Sequence, residues 1–99
     1  MLRRILWSSM FLMVTACATK PPVIEYTIAR SALDAAKGVS AARYAPAYWH
    51  KAEQRFRAGE DSYREEKYSQ AAEAFLKTRM YAEKAENIAR LERFKNGEF

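Results

Sequence analysis

Cysteine occurs once in this chain, histidine once, glycine three times and proline three times, and each scarcity removes a class of explanation. One cysteine excludes a disulfide within the chain, so no covalent framework holds the fold. One histidine, His50, cannot supply a two-histidine metal site or fill several catalytic roles at once. With glycine only at 38, 59 and 97, there is no glycine-rich loop to cradle a phosphate. Valine is absent after Val39 and isoleucine persists there only as Ile88, which leaves little that favours strands. The uncharged apolar stretch Ile5–Thr15 is well short of the roughly 20 residues that a bilayer-spanning helix needs.

What is plentiful is alanine, glutamate, lysine and arginine, the composition of a small helical domain. The 99 residues carry 17 Lys and Arg against 12 Asp and Glu. Loss of Arg3 and Arg4 with residues 1–16 leaves 15 against 12, a net charge of +3. So mild an excess argues against nucleic acid as a partner and is compatible with ordinary solvation of helices. His50 and Glu53 stand three apart on one helical face, a spacing that a metal could use, but no second pair exists to complete the site. Glu60-Asp61 and Glu65-Glu66 are adjacent carboxylates that point to different faces of a helix. No catalytic residue, metal site or cofactor is expected, and the chain reads as no enzyme.

The N-terminus reads as an address. Arg3 and Arg4 form a basic start, Ile5–Thr15 an apolar segment of signal-peptide length, and Val14-Thr15-Ala16-Cys17 follows. That run resembles the bacterial lipobox, in which small residues expose the bond before a cysteine whose thiol is alkylated with diacylglycerol. Residues 1–16 are then the signal peptide, and Cys17 carries the lipid. Plain secretion with cleavage after Ala16 is the competing reading and leaves an unpaired thiol; a cysteine buried in a core is a third. The resemblance implies an anchor of two or more acyl chains, and each buried CH₂ contributes about 0.8 kcal/mol to holding it. By the same resemblance, Ala18 in place of Asp implies the outer membrane, with the domain facing the periplasm. Residues 17–23 form the lipidated start and a tether stiffened by Pro21 and Pro22.

Periodicity places three helices in residues 24–95, an all-α, three-helix antiparallel hairpin array. From Ile24 to Ala42, Ile28, Ala32, Ala35, Val39 and Ala42 share a stripe that Ala29, Leu33 and Ala36 widen, and Gly38 offers an early stop. Pro46 suits the first turn of a second helix, where Trp49, Ala52, Phe56, Gly59 and Tyr63 line up as far as about Glu66. Ser69 is the expected N-cap of a third, running to Lys95 on Ala71, Phe75, Thr78, Ala82, Ala85 and Ala89. The exposed sides carry Glu53–Arg57, Glu60–Arg64, Glu73–Lys77 and Glu86–Arg90 at i,i+4. Gly59 is expected to let Ala71 approach closely, and residues 96–99 to fray.

Gly59, Tyr68, Ala71 and Phe75 lie at the spacing of a tetratricopeptide helix pair, so residues 52–79 resemble one degenerate unit, with Glu66 where that family turns on glycine. Ala41-Ala42-Arg43-Tyr44-Ala45-Pro46, then Ala52, Tyr68, Ala71 and Ala72, resemble a family of short proteobacterial envelope lipoproteins over residues 25–92. Its helical domain has no known function and also occurs ahead of OmpA-like peptidoglycan-binding domains. The resemblance implies an envelope location and a helical fold, and no activity.

Trp49, Phe56 and Phe75 are expected in the core, whereas Tyr44, Tyr48 and Tyr81 are divided between core and a surface for a partner. The expected partners are the membrane, through the lipid, and an envelope protein held by the helical module; the alternative is a structural lipoprotein whose basic residues touch peptidoglycan. Cys17→Ser should abolish palmitate labelling and leave the uncleaved precursor, visible as slower gel migration. Unchanged labelling in the variant would overturn the lipid address.

Overall fold

The computed structural model describes residues 20–98. The expected signal peptide 1–16 with Val14, Thr15 and Ala16, the expected lipidation site Cys17, and the final Phe99 lie outside the described residues. The described chain is all-α: α1 (Val23–Gly38), a single turn α2 (Ala41–Tyr44), α3 (Pro46–Arg64) and α4 (Tyr68–Lys95). Consecutive long helices run antiparallel, as the periodicity predicts. Tyr26 meets Phe75 early in α4, and Val39 shares a cleft with Arg90 and Phe94 near its end, so α1 and α4 point the same way. The 28-residue α4 is the common wall on which both α1 and α3 pack.

The turns rest on backbone conformations that the sequence does not advertise. Helix α1 ends at Gly38, but the left-handed residue is Ser40, with φ 61°. The chain re-enters a helix for one turn before Ala45 and Pro46 open α3 with Pro46 at the first helical position. Between α3 and α4, Glu66 takes φ 60°. Its amide donates to the Tyr63 carbonyl at 3.0 Å, and that of Lys67 to Ser62 at 2.8 Å, the paired closure usually built on glycine. Ser69 is not the cap of α4. Tyr68 already lies inside the helix, its ring 5.7 Å edge-on from Tyr63, and Lys67 stands at the N-cap. Residues 96–98 are not frayed either: Gly97 at φ 70° donates to Phe94 at 3.1 Å and Glu98 to Arg93 at 2.8 Å, a second closure of the same type.

Nine of the thirteen buried hydrophobic side chains among the described residues are alanine, so the helices close on one another through small side chains. All six positions expected inside α4 are buried. Thr78, the one polar member, donates its hydroxyl to the Ala74 carbonyl at 2.9 Å. In α3, Ala52, Phe56 and Gly59 are buried, while Trp49 is half-buried and Tyr63 is 37% exposed. Helix α1 is rotated from expectation. Ala29, Leu33 and Ala36 face inward with Val39, and Ile28, Ala35 and Ala42 are exposed. Two apolar stripes one residue apart compete there, and the inward one continues through Tyr26, whose ring packs on Phe56 and Phe75. Three expected ion pairs form, Glu53–Arg57 at 3.5 Å, Glu73–Lys77 at 3.2 Å and Glu86–Arg90 at 2.9 Å. In the fourth, Arg64 turns to Asp61 at 2.5 Å instead of Glu60.

Gly59 serves Phe75 rather than Ala71. A Cβ at Gly59 would sit 2.5 Å from Phe75 Cε1 and 2.7 Å from Cδ1, inside the contact distance of carbon atoms. Gly59→Leu should therefore destabilise the domain by about 1–3 kcal/mol through overpacking. Gly38 has nothing within 4 Å of the same added atom, so Gly38→Ala should hold or raise the melting temperature. Equal behaviour of the two variants in thermal melts would refute the packing contact.

Candidate functional site

Of the three tyrosines singled out by sequence, the fold unites two and sets the third apart. Tyr48, in the first turns of α3, and Tyr81, midway along α4, stack with ring centroids 6.3 Å apart and an interplanar angle of 29°. The antiparallel run of the two helices brings them together from 33 positions apart in sequence. Both are half-buried, with their inner edges on the core. Each is followed three residues later by a lysine, on the same helical face. Lys51 Nζ lies 5.5 Å from the Tyr48 ring centroid and 5.7 Å from that of Tyr81. Lys84 Nζ lies 5.4 Å from the Tyr48 ring. Neither ammonium has a carboxylate partner among the described residues. The result is a rigid aromatic pair that holds two positive charges at the surface by cation–π attraction.

Sequence reasoning named the tyrosines and passed over the lysines. The signal was present as a repeat, Tyr48 to Lys51 and Tyr81 to Lys84, which acquires meaning only when α3 and α4 are known to be neighbours.

Tyr44 lies elsewhere. Its hydroxyl donates to the Glu98 carboxylate beyond the end of α4, and the Arg43 guanidinium lies 5.1 Å from its ring centroid. The hydrogen bond to Glu98 raises the Tyr44 pKa above the ordinary tyrosine value; burial and the Glu98 charge add to the effect, while Arg43 and Arg93 oppose it. Neutral tyrosine is the donor, so the tie is intact below the ordinary tyrosine range and is lost as pH climbs through the raised value. An alkaline titration followed by ultraviolet absorbance should show Tyr44 ionising above the ordinary tyrosine value, and Glu98→Ala should lower its midpoint.

His50 and Glu53 do not converge. His50 Nε2 stands 3.5 Å from Gln54 Nε2, and Glu53 is committed to Arg57. Among the described residues no group of three or more His, Cys, Asp or Glu side chains could hold a metal. No described helix is long and apolar enough to cross a membrane.

A second surface, unforeseen from the sequence, lies toward the end of the bundle where α1 and α4 begin. Val23 and Tyr26 of α1, Glu60, Tyr63 and Arg64 of α3, and Phe75 of α4 line a cleft of about 340 Å³. Its floor belongs to an aromatic cluster in which Tyr26 lies 5.6 Å from Phe56 and 5.4 Å, edge-on, from Phe75. The signal was present but passed over: Tyr26 stands three residues before Ala29 and seven before Leu33, on the inward stripe of α1.

Among curated proteins and among solved structures, nothing matches this chain. A family described as "Domain of unknown function (DUF4398)" matches residues 25–96. The match spans the bundle from the first turn of α1 to the end of α4, and the chain belongs to that family.

Proposed function

We propose that this chain is an envelope lipoprotein, anchored through lipid on Cys17 and facing the periplasm from the outer membrane, whose helical domain holds a protein partner. The address rests on Arg3, Arg4, the apolar Ile5–Thr15 and the lipobox-like Val14-Thr15-Ala16-Cys17, with Ala18 after it. The binding role rests on one observation, the stacked Tyr48–Tyr81 pair with Lys51 and Lys84 held beside it. The ammoniums crowd the Tyr48 ring, and the stacked partner covers more of it. Flat ring surface is therefore not what the site offers; it offers fixed positive charge, which suits carboxylates of an acidic protein segment. Catalysis forms no part of this proposal, since the reading of the residues supplies no set of acid, base and nucleophile.

The same unneutralised lysines favour a second reading, in which the domain is a structural component that touches the carboxylates of peptidoglycan. The two differ in what is captured and in how salt acts on it, because exposed charge contacts are screened over a length of about 8 Å at physiological ionic strength that shortens as salt rises. Tyr44 stays outside the proposed surface, being tied to Glu98.

A photo-crosslinker at Ala47, beside Tyr48, should trap a discrete protein adduct in cells. Lys51→Gln with Lys84→Gln should lower capture about five- to tenfold while circular dichroism and melting stay near wild type, since exposed ionic contacts contribute about 0.2–1 kcal/mol each. Capture of cell-wall sacculi alone, released by high salt, would replace the first reading with the second. Undiminished capture in the double variant would remove this face from either.

A further inference from the structure

The end of the bundle where α1 begins carries an unusual share of uncovered apolar surface. Val23, 58% exposed, lines the cleft between Tyr26 and Tyr63, and Ile24, 72% exposed, lines a neighbouring one with Val23 and Tyr68. Tyr68, edge-on to Tyr63, continues this surface at the start of α4. Arg64 is held by Asp61 at 2.5 Å and Lys67 by Glu65 at 3.0 Å, while Lys20, Glu25, Glu66 and, at the wall of the cleft, Glu60 have no ion-pair partner among the described residues. Beside them is apolar side chain ringed by tyrosines, whose apolar bodies and polar tips suit the boundary between hydrocarbon and water.

The length of the preceding chain says what covers this surface. Cys17 stands six residues before Val23, so even a fully extended tether spans no more than about 20 Å. An anchor at Cys17 therefore keeps this end of the bundle within reach of the bilayer, and a bundle standing on it holds the Tyr48–Tyr81 pair about 20 Å farther along α4. We infer that the domain stands on the membrane surface, with Val23, Ile24, Tyr26 and Tyr63 seated among the lipids of the bilayer. This rests on the lipid-anchor reading above. The charges left unpaired at this end, Lys20 against Glu25, Glu60 and Glu66, are net acidic and give no pull toward anionic lipid, so apolar burial drives the contact, which forms on uncharged lipid and survives salt. Tyr63 lies near the C-terminal end of α3 and Trp49 near its start, about 21 Å apart along the helix, which gives the molecule a near and a far reporter position.

The test uses the full chain, lipidated in cells and reconstituted in phosphatidylcholine vesicles with or without brominated acyl chains. Palmitate label in the vesicle fraction establishes the anchor independently. In a Trp7→Phe, Trp49→Phe background, the reporter Tyr63→Trp is expected to lose emission in brominated vesicles, at low and high salt alike. Trp49 itself, in a Trp7→Phe chain, is expected to keep its emission. Ile24→Asp, at a highly exposed position, should restore the emission at 63 with the palmitate label and melting transition unchanged. A labelled chain whose reporter at 63 is untouched by bromine overturns the docking and leaves the anchor standing. Absence of palmitate overturns both. Equal quenching at 49 and 63 means the bundle lies flat, quenching only on anionic lipid and lost in salt means a charge contact, and shielding from both bromine and aqueous iodide means a protein cover; each of these overturns the proposal.

Discussion

The edge of the Phe75 ring rests against the bare Cα of Gly59, and around this contact the buried face of α4 is alanine except for Phe75 itself and Thr78. That face decides the spacing of the whole bundle. Alanine side chains let two helix backbones come close on either side of α4, and the dispersion gained along the seam replaces the bulk of an ordinary core. The arrangement tolerates one large ring only where the opposite helix offers no side chain. Phe75 takes that place, and with Phe56 and Tyr26 it forms the main aromatic contact between all three long helices.

A seam this narrow has a second effect. Helices that approach closely cannot enclose many wide side chains, so the remaining aromatics are pushed to the margins. Tyr48 and Tyr81 stack over the outer side of the α3–α4 groove, and Tyr26, Tyr63 and Tyr68 gather where α1 and α4 begin. Both candidate surfaces are therefore by-products of the same packing rule. Half-covered rings lose less conformational freedom on binding than long flexible chains do, which makes such margins suited to recognition.

How much of this was legible in the sequence follows from which signals are local. The six inward positions of α4 could be read because a long helix repeats its pattern often enough to fix its phase. The phase of α1 could not, since its two apolar stripes differ by one residue and the choice belongs to α4. The start of α3 was announced by Pro46, whose ring fixes a backbone angle. The two inner turns were not, because Ser40 and Glu66 adopt left-handed conformations that glycine usually signals. Tyr48 and Tyr81 could be named as candidates, but their pairing, and the enlistment of Lys51 and Lys84, depend on register between helices. The closure at Gly97 escaped notice because polar residues after a last basic turn look the same whether capped or loose.

Three long helices in alternating directions have a consequence that two or four would not. The chain enters at the Val23 end of the bundle and leaves at the Lys95 end, and α4 alone measures about 42 Å. An even number of helices would return the backbone to its starting side. This domain carries it across, as a strut does, and the closures at Gly97 and Glu98 hold the departing backbone in a fixed direction. Whatever is joined at the Lys95 end is thereby held at a set height above whatever is joined at Val23.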